Sequence, residues 1–238
     1  MKFKAIIFTF LAVLASSAFT QSGTVVERVF ACSVINGYTI NDVASVMRAY
    51  EWDEDFAPRF VALREAAYGT DQFRENWDFI VSLYYTSMVE LSEKRLAFRS
   101  RTGGSEGYDL SDVARCDNSP RINTIDFVPG PGDGGDAPEF TAAMTTSCEN
   151  NPALTPIALG QTAASLFGPE LRNVQIVNRQ FGGPTQAMGA RFGMRAIFNS
   201  PRGLSEAMDA LRANQPEQVP PCNIPSLWLM HRIYDRGN

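Results

Sequence analysis

Cys32-Ser33-Val34-Ile35-Asn36-Gly37-Tyr38-Thr39-Ile40-Asn41-Asp42 decides the fold, because its pattern returns at Cys148-Glu149-Asn150-Asn151-Pro152-Ala153-Leu154-Thr155-Pro156. In both stretches a threonine stands seven residues after a cysteine and opens a helix. Thr39 and Asp42 have capping-box spacing, in which the hydroxyl accepts from an early amide and the carboxylate reaches back to the cap. Thr155 is followed by Pro156 at the first helical position, where a missing N–H does no harm. A second pair of helix starts matches in the same order. Ser87-Met88-Val89-Glu90-Leu91-Ser92-Glu93 and Ser200-Pro201-Arg202-Gly203-Leu204-Ser205-Glu206 agree at Ser, Leu, Ser and Glu. The chain therefore contains one unit twice.

Outward from these helix starts, hydrophobic periodicity predicts the order β, α, β, β, α, β in each copy. The first copy reads as strand over 26–34, helix over 39–59, strands over 64–74 and 77–86, helix over 87–101 and strand over 122–128. The second reads as strand over 140–146, helix over 155–167, strands over 172–181 and 190–199, helix over 200–213 and strand over 227–234. This is the order of the ferredoxin-like split βαβ unit, an antiparallel sheet with two helices on one face. The expected organisation is α+β, with unit 1 over 24–128 and unit 2 over 138–236. Between them the Pro- and Gly-rich run 129–137 sustains neither helix nor strand and reads as a linker.

Each copy also closes alike, with Cys116-Asp117-Asn118-Ser119-Pro120 and Cys222-Asn223-Ile224-Pro225 standing just before the last strand. Four cysteines in an oxidising compartment form two disulfides, with three possible connectivities. The duplication selects Cys32–Cys116 and Cys148–Cys222. Each pair joins the first strand of a unit to the entry of its last, and these strands are neighbours in the ferredoxin-like sheet.

The oxidising compartment is read from the N-terminus. Lys2 and Lys4 precede the apolar run Ala5–Ala15, and Ser16 and Ala18 occupy the −3 and −1 positions of a cut after Ala18. Residues 1–20 are thus expected to be a cleaved signal peptide, since the run falls short of the roughly 20 residues needed to cross a bilayer. No transmembrane anchor is expected, and the localisation is periplasmic or secreted. Cys32 does not suit a lipid anchor, because Phe30 and the charged Glu27 and Arg28 precede it. Losing Lys2 and Lys4 takes the net charge from −5 to −7. Such a surface repels phosphate backbones, so no nucleic acid partner is expected. With 45% hydrophobic and 11% aromatic residues over the whole sequence, the mature part can bury a core.

A ferredoxin-like unit leaves one sheet face bare, and two copies can cover each other by packing sheet to sheet. On this element order and duplication the chain resembles the dimeric α/β-barrel superfamily, which includes antibiotic-biosynthesis monooxygenase-like and EthD-like domains, here as a fused tandem copy. The resemblance implies a pseudo-dimeric α/β barrel and a cofactor-independent monooxygenase-like activity, but carries no catalytic residue onto this chain.

The residues themselves point to binding. No GxSxG, HExxH, Walker or EF-hand pattern occurs, so no cofactor and no metal are expected. His231 is the only histidine and stands within the last strand, where packing is the ordinary role. Glu51, Glu54 and Asp55 fall on one face of the first helix and read as a solvated acidic face, as do Asp133 and Asp136 in the linker. The third strands are more informative. Phe79, Val81, Leu83 and Tyr85, like Phe192, Met194, Ala196 and Phe198, form an apolar face toward the helices, which turns Ser82, Tyr84 and Arg195 to the interior. A buried Arg195 requires a counterion, either a protein carboxylate such as Asp126 or a bound anion. The expected ligand site is therefore Ser82, Tyr84, Arg195 and Trp228, between the sheets, for a small organic or anionic ligand. The first functional reading is an exported small-molecule-binding protein. The alternatives are the monooxygenase-like enzyme and a structural or assembly protein with a packed interior.

Overall fold

The computed structural model describes residues 24–68, 77–102, 110–117, 119–134, 138–181, 191–213 and 222–237. The segment read as a signal peptide, and Asp136 in the linker, lie outside the described residues. The elements run β1 (Val25–Val34), α1 (Ile40–Ala49), β2 (Phe60–Tyr68), β3 (Phe79–Tyr85), α2 (Met88–Arg101), β4 (Ala114–Cys116) and β5 (Arg121–Pro129). The second half follows as β6 (Phe140–Glu149), α3 (Pro156–Leu166), β7 (Leu171–Phe181), β8 (Arg191–Phe198), α4 (Pro201–Ala213) and β9 (Ser226–Asp235).

The helices begin where their caps dictate. Both halves of the Thr39–Asp42 box are formed, Thr155 caps the amide of Ala158, and Pro156 occupies the first turn. Ser87 and Ser200 accept from the amides of Glu90 and Gly203, so the paired helix starts match in structure as in sequence. The first helix ends earlier than its apolar spacing predicts, at Ala49 instead of Arg59. Trp52 folds back so that its Nε1 donates to the Met47 carbonyl at 3.1 Å, and its ring stacks on Tyr234. Pro58 then holds its predecessor out of the helical region, and the chain enters β2 at Phe60, before the predicted start at Arg64. The predicted extension of that strand to Arg74 runs outside the described residues. The short strand β4, which the periodicity did not indicate, pairs with β1 opposite Cys32.

Hydrogen bonding links the strands in the order β3-β2-β9-β6-β8-β7-β5-β1, and β1 pairs back with β3, so eight strands close a ring. This corrects the expected sheet-to-sheet stacking. The halves meet along their edges, through β2–β9 and β5–β7, as one closed antiparallel barrel. The physical reason is that β2 and β5 would otherwise expose a row of unpaired backbone groups, and closure abolishes the edge.

Strand alternation divides the core into three. One apolar cluster lies under α1 and α2, a second lies under α3 and α4, and a third fills part of the barrel. The seam strands cross over. Ile233 and Tyr234 of β9 pack into the first half's cluster, and Val128 of β5 packs into the second's. Cys32 is bonded to Cys116 and Cys148 to Cys222, as the duplication selects. With sequence separations of 84 and 74 between the joined cysteines, each link stabilises by about 4 kcal/mol on the chain-entropy view.

The described part of the linker is docked on the second half. Gly130 and Gly132 donate their amides to the carbonyls of Arg172 and Leu171, and Asn199 donates to the Gly132 carbonyl. A Cβ at Gly130 would lie 2.3 Å from the Leu171 carbonyl oxygen, so only glycine permits this approach. Gly130→Ala is therefore expected to destabilise the fold by about 1–3 kcal/mol. Urea denaturation reads this directly, and an unchanged midpoint would show that the segment is not held against β7.

Candidate functional site

Inward positions follow from the alternation. β1 turns Val25, Glu27 and Val29 inward, β2 turns Phe60, Ala62 and Arg64 inward, and β3 does the same with Ile80, Ser82 and Tyr84. β5 supplies Asn123, Ile125 and Phe127, β7 supplies Gln175, β8 supplies Arg195 and Ile197, and β9 supplies Trp228 and Met230. Most are apolar, but the middle of the barrel holds a charged cluster. Glu27 is 0% exposed, and Arg64 and Arg195 are each 3% exposed.

Glu27 is shared by two guanidinium groups, one from each half. Arg195 grips it at both oxygens, with Nη1 donating to Oε1 at 3.2 Å and Nη2 to Oε2 at 3.3 Å. Arg64 Nη2 donates to Oε1 at 3.2 Å and to the Ser82 hydroxyl at 2.7 Å. Asn123 Nδ2 donates to Oε2 at 2.9 Å, while Arg195 Nη1 also meets Tyr84 Oη at 3.0 Å and Gln175 Oε1 at 2.6 Å. Burial alone would raise the pKa of Glu27. Arg195 first, then Arg64 and the Asn123 hydrogen bond, outweigh it and hold the carboxyl at about 2, well below its ordinary 4.5. Arg64 is drawn down to about 10 by burial and by the neighbouring Arg195, and so stays charged at neutral pH. Burial also opposes the charge on Arg195, but Glu27 outweighs it and holds its pKa above the ordinary value. Tyr84 is pushed up by burial and then by Glu27, which keeps it a neutral phenol. The cluster therefore carries two positive charges against one negative.

On one side of this cluster lies a cavity of about 310 Å³. Its walls are Val25, Phe60, Ala62, Phe127, Ile197 and Met230, and its polar floor is Tyr84 and Gln175, the two neutral groups that rest on Arg195. At the rim stand Arg59, Arg172, Arg232, Asp133 and Asp235, brought together from the starts of β2 and β7, the end of β9 and the docked linker. The cavity reaches the surface where Asp235 and Gly237 are exposed. Its chemistry is that of an apolar chamber with a neutral hydrogen-bonding floor and a charged mouth.

Of the residues read from sequence, Tyr84 lines the cavity. Ser82 and Arg195 lie beneath it in the charged cluster, and Trp228 lies beside the cluster with Arg64 poised 5.9 Å over its ring. The carboxylate facing Arg195 is Glu27, and Asp126 is not its partner. β5 turns odd-numbered residues inward, so Asp126 points out and accepts from Thr24 at 2.6 Å. Glu51, Glu54 and Asp55 follow α1 instead of sharing its face, and among the described residues no group of three metal-ligating side chains is assembled. His231 packs edge-on against Phe140 and borders the rim, with burial lowering its pKa against the pull of Glu65. Sequence reasoning missed Glu27 and Arg64. The available signal was the inward register of Glu27 with Val25 and Val29, and of Arg64 with Ala62.

No protein-family model matches this chain, and no curated protein matches it by sequence. Solved structures overlap it at low identity. A candidate monooxygenase from Fusobacterium nucleatum subsp. nucleatum ATCC 25586 is 9% identical over 91% of this chain and 96% of that one, with a TM-score of 0.48. A candidate monooxygenase from Lactobacillus acidophilus NCFM is 4% identical over 89% and 95%, with a TM-score of 0.47. A candidate chlorite dismutase, TA0507, is 12% identical over 89% and 95%, with a TM-score of 0.46. Overlap at this level carries no conclusion about chemistry.

The Glu27 cluster makes a prediction about acid. Because its folded pKa lies below the unfolded value, the stabilisation is whole above about pH 4.5 and is lost as pH falls toward 2, with a total of about 3 kcal/mol. Glu27→Gln, which leaves two buried guanidinium groups without a counterion, is expected to cost about 3–5 kcal/mol at neutral pH. Denaturant titrations of both proteins across this range are the check. A variant as stable as wild type, or a flat acid limb, would mean that Glu27 is not the counterion.

Proposed function

We propose that the chain is an exported small-molecule-binding protein whose ligand lies inside the barrel, between its two halves. The observation that carries this reading is the apolar cavity above the charged cluster. An eight-stranded barrel is just wide enough to be filled by its own side chains or to hold one small ligand. Here side chains fill the middle and leave one end open, whereas a structural or assembly role needs no such space. Tyr84 serves as a ligand contact, and Ser82, Arg195 and Trp228 support the floor and wall from beneath.

In this reading residues 24–128 and 138–236 are two copies of a ferredoxin-like βαββαβ unit, joined by residues 129–137 and preceded by a signal peptide over 1–20. The strand order supports the duplication. Each half runs last, first, third, second, as β5-β1-β3-β2 and β9-β6-β8-β7. The assembly is then a fused dimeric α/β barrel, in which β2 and β5 of one copy pair with β9 and β7 of the other. Two disulfides are consistent with an extracytoplasmic destination, and no helix among the described residues is long and apolar enough to cross a membrane.

Native mass spectrometry of the mature protein tests the reading, alongside Ala62→Phe, which places a ring in the cavity at a residue only 1% exposed. The wild type is expected to retain a small organic molecule, or to bind one saturably from a fragment panel, and the folded variant to lose it. Equal binding by both proteins, or none by the wild type, would end the proposal.

A further inference from the structure

We infer that the ligand of this cavity is a small organic anion, seated with its apolar body against the chamber walls and its acidic group at the rim among Arg59, Arg172 and Arg232. The inference rests on the reading that the cavity binds a small molecule, and adds the ligand's charge and orientation.

Three observations converge on it. At the mouth, three guanidinium groups face two carboxylates. Two of the ion pairs there are long, with Arg172 Nε to Asp133 Oδ1 and Arg232 Nη1 to Asp235 Oδ2 both at 4.0 Å. Among the described lining residues the rim carries three positive charges against two negative ones. Behind the floor, Arg64 and Arg195 again exceed Glu27 by one charge. A chamber with the same sign of excess charge at both ends, and apolar walls between, favours an anion and penalises a cation, because the low dielectric of its walls preserves the field. Besides Thr141, Asn173 and His231, the lining between floor and rim is apolar, so most of the ligand's body is apolar.

Orientation follows from what each end has left to give. The Nη atoms of Arg195 are committed to Glu27, Tyr84 and Gln175, and only neutral groups present themselves at the floor. The rim, by contrast, carries three guanidinium groups, whose planar fork geometry suits a carboxylate. The volume of about 310 Å³ equals that of about ten waters, which suits one ring with a short chain.

Three probes with a common body separate charge from shape: 4-phenylbutyrate, 4-phenyl-1-butanol and 4-phenylbutylamine, titrated calorimetrically into the mature protein at low salt. The carboxylate is expected to bind about tenfold or more tighter than the alcohol, with the amine weakest, and to lose its advantage at high salt. Arg59→Gln and Arg232→Gln are each expected to weaken the carboxylate several-fold and leave the alcohol unchanged. An alcohol or amine that binds as tightly as the carboxylate to the wild type overturns the inference and leaves the cavity a binding site. Binding by none of the three at millimolar concentration overturns both. The probe series and its salt dependence use the wild type alone, so they decide the matter even if a variant fails to fold.

Discussion

The sharing of one buried carboxylate by two arginines is the constraint on which the rest of the barrel depends. Glu27 stands on the first strand of the chain, Arg64 on a strand of the same half and Arg195 on a strand of the other, so the interaction spans the interior. A buried ion pair is weak evidence of stability in itself, since well-packed apolar residues often serve as well or better. Its specific effect is on register. A one-residue slip of β1 would turn Glu27 out toward the helices and put Val26 or Arg28 in its place, stranding two guanidinium groups in a dry interior. The cluster therefore pins the strands that carry it, and those strands position Tyr84 and Gln175 as the floor of the cavity.

Closure acts on the same residues from outside. Each seam pairs an edge strand of one half with a strand of the other, and the seam strands deliver Ile233, Tyr234 and Val128 into the opposite half's core. Apart from β4 the two halves follow the same element order, yet they share their cores. The disulfides, by contrast, stay within a half and fasten β4 and the approach to β9 onto first strands. Covalent links secure each half, while hydrogen bonds, apolar packing and one shared charge secure the halves to each other.

The sequence was legible where local chemistry decides the outcome. Cap residues, the repeated cysteine-to-threonine spacing and strand alternation are properties of neighbouring residues, and they indicated the helix starts, both disulfides and the inward faces of β3 and β8. Illegible were the features that depend on distant segments. Pro58 was a local signal, but the folding back of Trp52 onto Tyr234 depends on the distant β9, and the late predicted start of β2 hid Arg64. Glu27, followed by Arg28, looks like an ordinary charged pair until the strand is known to be buried on both sides. The cavity mouth was hidden for the same reason, since Arg59, Arg172 and Arg232 meet only when three strand ends and the linker converge.

The two seams also differ in when they can form. β5 and β7 are near neighbours in the chain, and Thr124 reaches the Asn178 carbonyl across only 54 residues. The other seam joins opposite ends of the domain, where Arg236 reaches the Ala57 carbonyl across 179 residues. Contacts of such long range are slow to form, because the entropy of the intervening chain must be surrendered before they repay it. Until β9 is in place, β2 has an open edge and the chamber lacks a wall. The final strand therefore acts as the last stave of the barrel. A chain arriving unfolded, from its N-terminus onward, would pass through an interval in which an unprotected strand edge is its chief hazard.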